Sequence, residues 1–129
     1  MPNKFKNIRF EGDKQNQPVF FLNDKKSNDL RLAIVDITIY DDEWDPKIVI
    51  EIEPDANPKA FFGILSALTI YSMDSSHGKH LELYYVLLNA KQHSKAQLLL
   101  DAFLSIVNTE KIKIDILTKN EFIEKFYGR

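Results

Sequence analysis

The sequence predicts an α+β fold, with strands in the first half of the chain and helices alternating with strands in the second. Apolar and polar residues alternate along residues 30–40 and 47–53, which is typical of strands. Apolar residues recur at helical spacing along residues 59–73 and 91–107. The composition, 44% hydrophobic and 28% charged, is that of a chain that buries a core. We therefore expect a single α+β domain over residues 1–129.

The first half of the chain predicts four strands. Residues 5–10 predict a half-exposed strand, and residues 19–22 predict a short one after a polar turn. Residues 30–40 give the clearest alternation, and residues 47–53 alternate again. The five residues between them, DDEWD at 41–45, have the length of a hairpin loop, and we call this loop the acidic hairpin.

The second half predicts helices between strands. Asn57 and Pro58 mark a helix start, since asparagine caps helices and proline suits the first helical position. The elements that follow are a mostly apolar helix at 59–73, a buried strand at 81–88, a helix at 91–107, a strand at 112–117 and a short helix at 120–127. The order is ββββ-α-β-α-β-α, and we expect one mostly antiparallel sheet packed against two main helices.

The composition also excludes several classes of protein. The chain has no cysteine, so it has no disulfide framework and no thiolate ligand or nucleophile. Its longest apolar segment is shorter than the roughly 20 residues of a membrane span, and its first residues lack the apolar stretch of a signal peptide. We therefore expect a cytoplasmic protein that does not bind membranes. The sequence pI of about 5.9 argues against binding nucleic acid, which needs a basic face.

The charge is unevenly distributed along the chain. Residues 36–55 carry eight acids and one base, a net charge of −7, whereas the whole chain carries −2. The other 109 residues therefore carry +5. The chain's only tryptophan, Trp44, lies in the middle of this acidic segment.

This segment predicts a binding surface for a basic protein. Carboxylates steer and pair with basic groups, and tryptophan supplies the anchoring area typical of binding hot spots. The predicted partner-binding residues are Asp41, Asp42, Glu43, Trp44, Asp45, Glu51 and Glu53. Two alternatives stay open: an ordinary solvated turn with Trp44 folded over the sheet edge, and a divalent cation site. The cation site lacks the glycine and the aspartate spacing of a calcium loop.

Other chemistry finds little support in the residue pattern. His77, His80 and Asp74 offer zinc ligands, but the further ligand of a familiar zinc motif is missing, and two exposed histidines explain the pattern more simply. Ser75 and Ser76 beside His77 do not form a recognisable triad, and no phosphate-binding loop is present. We therefore expect no metal, no cofactor and no catalytic residue.

Asp36 stands out because it interrupts an apolar strand. A buried carboxylate is costly unless it is paired. Asp36 is therefore interpreted as exposed, as paired with a lysine or arginine of a neighbouring strand, or as a functional acid with a raised pKa.

These observations favour a small binding module over an enzyme. The most specific hypothesis is an immunity or inhibitor protein that neutralises a basic toxin or nuclease, as bacterial immunity proteins do, and it rests on size and charge alone. Two alternatives remain: a subunit of a homo-oligomer, such as a homodimer formed through helix 59–73, and a small-ligand or enzymatic domain with its site between sheet and helices.

Overall fold

The structure is a computed structural model that describes residues 5–13, 17–24, 27–74 and 80–128. Its strands are β1 Asn7–Phe10, β2 Val19–Phe21, β3 Arg31–Ile34, β4 Ile37–Tyr40, β5 Pro46–Glu53, β6 Leu81–Leu87 and β7 Ile112–Thr118. Its helices are α1 Pro58–Met73, α2 His93–Leu104 and α3 Lys119–Tyr127, with short 3-10 turns at Leu22–Asp24, Asn28–Leu30 and Ala90–Gln92. The mixed α+β class is confirmed.

The main sheet is mixed, so the prediction of a mostly antiparallel sheet was wrong. Five strands lie in the order β1-β4-β5-β6-β7. The pairs β1–β4 and β4–β5 are antiparallel, whereas β5–β6 and β6–β7 are parallel. The parallel pairs follow from the connections, because a helix between two neighbouring strands returns the chain to the end where the first strand began. The helices α1 and α2 make these two connections.

The strand predicted over residues 30–40 is two strands in two sheets, so the predicted order with four initial strands was also wrong. β3 pairs with β2 in a separate two-stranded sheet, and β4 joins the main sheet. The change of sheet occurs where the N–H of Val35 donates to the Pro18 carbonyl (3.1 Å) and the N–H of Asp36 donates to the Glu51 carboxyl (3.1 Å). The apolar–polar alternation continues through this point, so periodicity could not reveal the break.

Helix α1 begins where the sequence predicted. The Asn57 side chain accepts a hydrogen bond from the N–H of Ala60 (3.2 Å), and Pro58 occupies the first turn. The buried side of α1 packs on the sheet beside α2. The Phe61 ring lies edge-on to Tyr85 of β6, with centroids 4.7 Å apart. The core of this face includes Val49, Leu65, Leu68, Leu83, Leu87, Leu100, Phe103 and Ile114.

Helix α3 covers the opposite face of the sheet, so the expectation of a sheet packed against two helices was incomplete. Thr118 and Glu121 form a reciprocal capping box at the start of α3. Phe126 of α3 lies edge-on to Tyr84, with centroids 5.5 Å apart. The core of this face includes Ile37, Ile39, Ile48, Ile50, Val86 and Phe122. None of the helices in the described residues is long and apolar enough to cross a bilayer.

The contact between α1 and β6 gives a first prediction. Replacing Phe61 by alanine removes a fully buried ring and leaves a cavity against Tyr85, so we expect the free energy of unfolding to fall by about 3–5 kcal/mol. Phe10→Ala, which truncates an exposed ring, should cost less than about 1 kcal/mol. Urea denaturation of both variants measures the difference. Equal losses of unfolding free energy in the two variants would contradict the burial of Phe61 against Tyr85.

Candidate functional site

The acidic hairpin is organised by its first residue. Asp41 Oδ1 accepts hydrogen bonds from the N–H groups of Glu43 (2.9 Å) and Asp45 (3.0 Å). The Asp41 carbonyl accepts from the N–H of Trp44 (3.0 Å) and from the side-chain amide of Asn7 on β1 (2.9 Å). Aspartate at such a position satisfies the backbone of the turn. Asp41 is half-buried, and its hydrogen bonds fix the backbone of the loop.

Trp44 is held in a defined orientation rather than left free at the tip. Its backbone is left-handed (φ 62°), which is uncommon for a bulky residue. The Arg9 guanidinium of β1 lies 4.9 Å from the centroid of the Trp44 ring and 5.1 Å from that of Tyr40. The two rings are 5.4 Å apart. Arg9, Tyr40 and Trp44 thus form one cation–π cluster at the edge of the sheet, which we call the arginine–aromatic cluster.

Carboxylates surround the exposed side of this cluster. Asp42 and Glu43 are exposed, and Asp45 is half-buried. Trp44 keeps 47% of its surface exposed. A cleft of about 310 Å³ opens beside the loop. Its lining includes Phe5, Lys6, Ile39, Tyr40, Asp42 and Lys47. The hairpin therefore presents an aromatic face and exposed acids next to a concave surface of mixed charge.

The structure separates Glu51 and Glu53 from the hairpin. Both lie toward the far end of β5, and Glu51 is six residues from Asp45, which is roughly 20 Å along an extended strand. Both side chains are half-buried. The predicted partner-binding residues thus form two groups, one exposed at the hairpin and one recessed at the other end of the strand. Their role toward a partner stays a prediction.

The recessed pair belongs to a cluster of interacting carboxyl groups, which we call the carboxyl cluster: the half-buried Asp36, Glu51 and Glu53 and the exposed Glu11. Asp36 Oδ2 accepts from the N–H of Ile52 (2.6 Å), and Glu51 Oε1 accepts from the N–H of Asp36 (3.1 Å). Burial, together with the neighbouring Asp36 carboxyl, raises the pKa of Glu51 to about 8. Asp36 is therefore half-buried beside another acid, and within the described part of the chain it lacks the lysine or arginine partner that one interpretation expected.

In the carboxyl cluster, the pKa values of Glu11, Glu51 and Glu53 are shifted upward. A hydrogen bond with Asp36 raises the pKa of Glu11 above its usual value, and burial followed by the charge of Asp36 raises that of Glu53. Burial followed by the charges of Glu53 and Glu51 raises the pKa of Tyr85, on the neighbouring strand. With a pKa of about 8, Glu51 holds a proton near neutral pH. The arrangement can therefore bind and release a proton.

The remaining sequence candidates do not assemble into a site. Among the residues that the structure describes, no group of three or more histidine or acidic side chains is placed to hold a metal ion. Asp74 accepts a hydrogen bond from the N–H of Asn23, and His80 is exposed. Ser75, Ser76 and His77 lie outside the described residues.

Three residues of these two clusters were missed by the sequence reasoning as site residues: Arg9, Tyr40 and Glu11. Arg9 reaches Trp44 because β1 pairs with β4, which places Arg9 opposite Thr38 and two residues from Tyr40. Glu11 follows β1, and its N–H donates to the Asp36 carbonyl (2.8 Å). The acidic run offered no signal for Arg9 and Glu11, because pairing of β1 with β4 bridges about 30 residues and cannot be derived from local alternation. Tyr40 lies within the run, four residues before Trp44, and that spacing was the available signal.

Comparison with models of protein families, with curated proteins and with solved structures found no match to this chain.

The arginine–aromatic cluster gives a spectroscopic prediction. Because Trp44 is the only tryptophan, tryptophan fluorescence, excited selectively over the five tyrosines, reports on the hairpin alone. Arg9→Ala should free the ring, shift its emission to longer wavelength and increase quenching by acrylamide, with a loss of about 1 kcal/mol in stability. Lys47→Ala, which removes an exposed charge near the loop, is the matched control. Identical spectra for the two variants would contradict the cluster.

The carboxyl cluster gives a pH prediction. Glu51 has a pKa of about 8 in the folded chain and 4.5 as its ordinary value, so the folded state holds more protons between these pH values. The contribution of Glu51 to stability should therefore be fully present below about pH 4.5 and be lost as the pH rises through about 8. After allowance for solvent screening, we expect this cluster to contribute a fall of about 1–3 kcal/mol.

Glu51→Gln tests this origin, since glutamine keeps an oxygen for the N–H of Asp36 but does not ionise. The variant should show a flatter dependence of unfolding free energy on pH, measured by urea denaturation across pH 4.5–9. Glu124→Gln on the exposed side of α3 should keep the dependence of the wild type. If Glu51→Gln also keeps it, the carboxyl cluster is not its source.

Proposed function

We propose that this chain is a protein-binding module that recognises a basic partner through the acidic hairpin. The observation that supports this proposal best is the presentation of Trp44. Trp44 as a whole remains 47% exposed although Arg9 and Tyr40 contact its ring. A large aromatic side chain held in this way provides the type of anchor that dominates protein interfaces.

The rigidity of the hairpin favours binding. Ordering a mobile side chain at an interface costs about 0.5–1.5 kcal/mol, and Trp44 meets part of this cost in the free protein. The hydrogen bonds that Asp41 accepts from Glu43 and Asp45 similarly restrict the backbone. A partner would therefore meet a loop that already has its bound shape.

The charge of the hairpin favours a basic partner. Asp42 and Glu43 are exposed next to Trp44, within the segment of net charge −7. Arg9 lies against the ring and offsets part of this charge locally. Exposed carboxylates mainly accelerate encounter and select against acidic proteins, whereas the aromatic ring supplies contact area.

Glu51 and Glu53 would act on a basic partner at longer range than the hairpin residues. They lie about 20 Å from the loop and are half-buried. Glu51, whose pKa is about 8, adds to the negative potential of the strand only at higher pH. We assign direct contact to the hairpin residues and a longer-range role to Glu53 and to the ionised form of Glu51.

The most specific form of the proposal is an immunity or inhibitor protein that blocks a basic toxin or nuclease, as bacterial immunity proteins do. Active sites that bind phosphate groups carry basic side chains. Carboxylates beside an aromatic ring offer such a site a chemistry similar to that of phosphates beside a base. The charge and the exposed Trp44 support this reading.

Paired variants of the hairpin test the proposal. The baits are wild type, Trp44→Ala, and the double variant Asp42→Lys with Glu43→Lys, used in a pull-down from the native source and read by mass spectrometry. We expect the wild-type bait to capture a basic protein that neither variant bait captures. With that protein purified, Trp44→Ala should weaken binding by about 2 kcal/mol or more, about thirtyfold in Kd, measured by calorimetry. Binding of the wild type should also weaken as salt increases.

The matched control changes the same charge elsewhere. Glu110→Lys with Glu124→Lys replaces two exposed acids away from the hairpin, so the net charge equals that of the hairpin variant. Capture should persist with this bait. Equal capture by both double variants would show that the hairpin is not the binding surface, and equal loss would show that net charge alone determines binding.

A further inference from the structure

Helix α1 has a straight exposed face that carries almost no charge. Lys59, Gly63, Ser66, Ile70 and Met73 are all exposed, and their spacing places them on one side of the helix. Ile70 is 49% and Met73 43% exposed. Lys59 is the one charged residue of α1. In a chain that is 28% charged, an uncharged helix face of this length is unusual for a surface exposed to water.

The apolar surface continues onto the end of α2. A cleft of about 280 Å³ lies between the two helices, lined by Phe62, Ser66, Ala102, Phe103, Ile106 and Val107. A second cleft of about 430 Å³ adjoins it at Val107 and reaches Ile70 and Met73. Ile106 is 84% exposed beside them. The face of α1 and these clefts form one surface, which we call the α1 face.

Two residues of the α1 face, Gly63 and Thr69, lower the stability of the isolated chain. A Cβ added to Gly63 would meet nothing within 4 Å, yet glycine inside a helix costs about 1 kcal/mol relative to alanine. Thr69, which lines the larger cleft, is 5% exposed, and its hydroxyl has no hydrogen-bond partner in the described part of the chain. Glycine on an open helix face permits close approach of another backbone. The unpaired Thr69 hydroxyl is enclosed, so it adds to the cost of this region without facing the neighbour.

The pattern of α1 is complementary to itself in the reverse direction. When a second α1 helix lies antiparallel to the first, with the twofold axis between Ser66 and Ala67, Ser66 of each helix faces Ala67 of the other. Ile70 of each helix then faces Gly63 of the other. A large side chain then meets the open position of the other helix. A twofold interface requires this relation, because each residue i that contacts j is matched by j contacting i.

The charges of α1 favour the same antiparallel arrangement. The helix has no acid in its first turn and no base in its last turn. Lys59 therefore lies at the positive end of its own helix dipole, where a base is unfavourable. In an antiparallel pair, Lys59 would lie near the negative end of the other helix, which ends at Met73.

We propose that the α1 face binds a second copy of this chain, with the two α1 helices antiparallel about a twofold axis near Ser66. This dimer leaves the acidic hairpin outside the interface, so it is independent of the proposed partner.

The oligomeric state of the full chain tests this inference. Sedimentation equilibrium over a range of concentrations should show a reversible dimer. Gly63→Gln should weaken the dimer at least about tenfold while the monomer keeps or gains stability, because glutamine is a better helix former at an exposed site. Ile70→Glu should act in the same way. Leu98→Glu, at an exposed position of α2 that lines neither cleft, should leave the dimer intact.

A cysteine cross-link tests the position of the axis. The chain has no cysteine, so Ser66→Cys introduces a single thiol next to the proposed axis, and Ser94→Cys introduces one on the exposed side of α2. Ser66→Cys should oxidise to a covalent dimer, and Ser94→Cys should not. A monomer at all concentrations, or a dimer that Gly63→Gln and Ile70→Glu leave unchanged, would overturn the proposal. Equal cross-linking by both thiols would also overturn it.

Discussion

The burial of β6 on both faces is the constraint on which the rest of this structure depends. Leu83 and Tyr85 point to the face covered by α1 and α2, and Tyr84 and Val86 to the face covered by α3. A strand without a solvated face needs neighbours on both sides and a layer above and below it. The crossovers through α1 and α2 supply the parallel neighbours and one layer, and α3 supplies the other.

The strand β5 separates two kinds of acidic chemistry that the sequence places in one run. At its beginning, exposed carboxylates and Trp44 face solvent around a buried arginine contact. Near its end, Asp36 and Glu51 lie side by side with restricted access to water, and burial raises the pKa of Glu51. Carboxyl groups therefore act as surface charges at one end, whereas Glu51 acts as a proton-holding group at the other, since the degree of burial sets the cost of ionisation.

The two proposed interaction surfaces differ in chemistry and position. The hairpin combines charge with one aromatic ring, whereas the α1 face is nearly uncharged and depends on close packing. A twofold pair formed through α1 would carry two hairpins in fixed relation. Such an arrangement would allow two contacts with a partner that has repeated sites, and the second contact would benefit from the high local concentration created by the first.

Local features were predictable because they depend on neighbouring residues. The positions of α1, β5, β6 and β7 and the cap at Asn57 follow from spacing and capping chemistry. The sequence also identified the acidic segment around Trp44. These predictions required no knowledge of which strands pair.

Long-range pairing was decided only by the tertiary structure. The alternation across residues 30–40 continues through the break at Val35, because the small sheet and the main sheet both accept the same pattern. Likewise, Arg9 reaches Trp44, and Glu11 reaches Asp36, only because β1 pairs with β4. The sequence by itself determined the mixed class, most of the elements and the unequal charge. The tertiary structure decided the sheet order and the separation of the acids, since both depend on contacts between residues far apart in the chain.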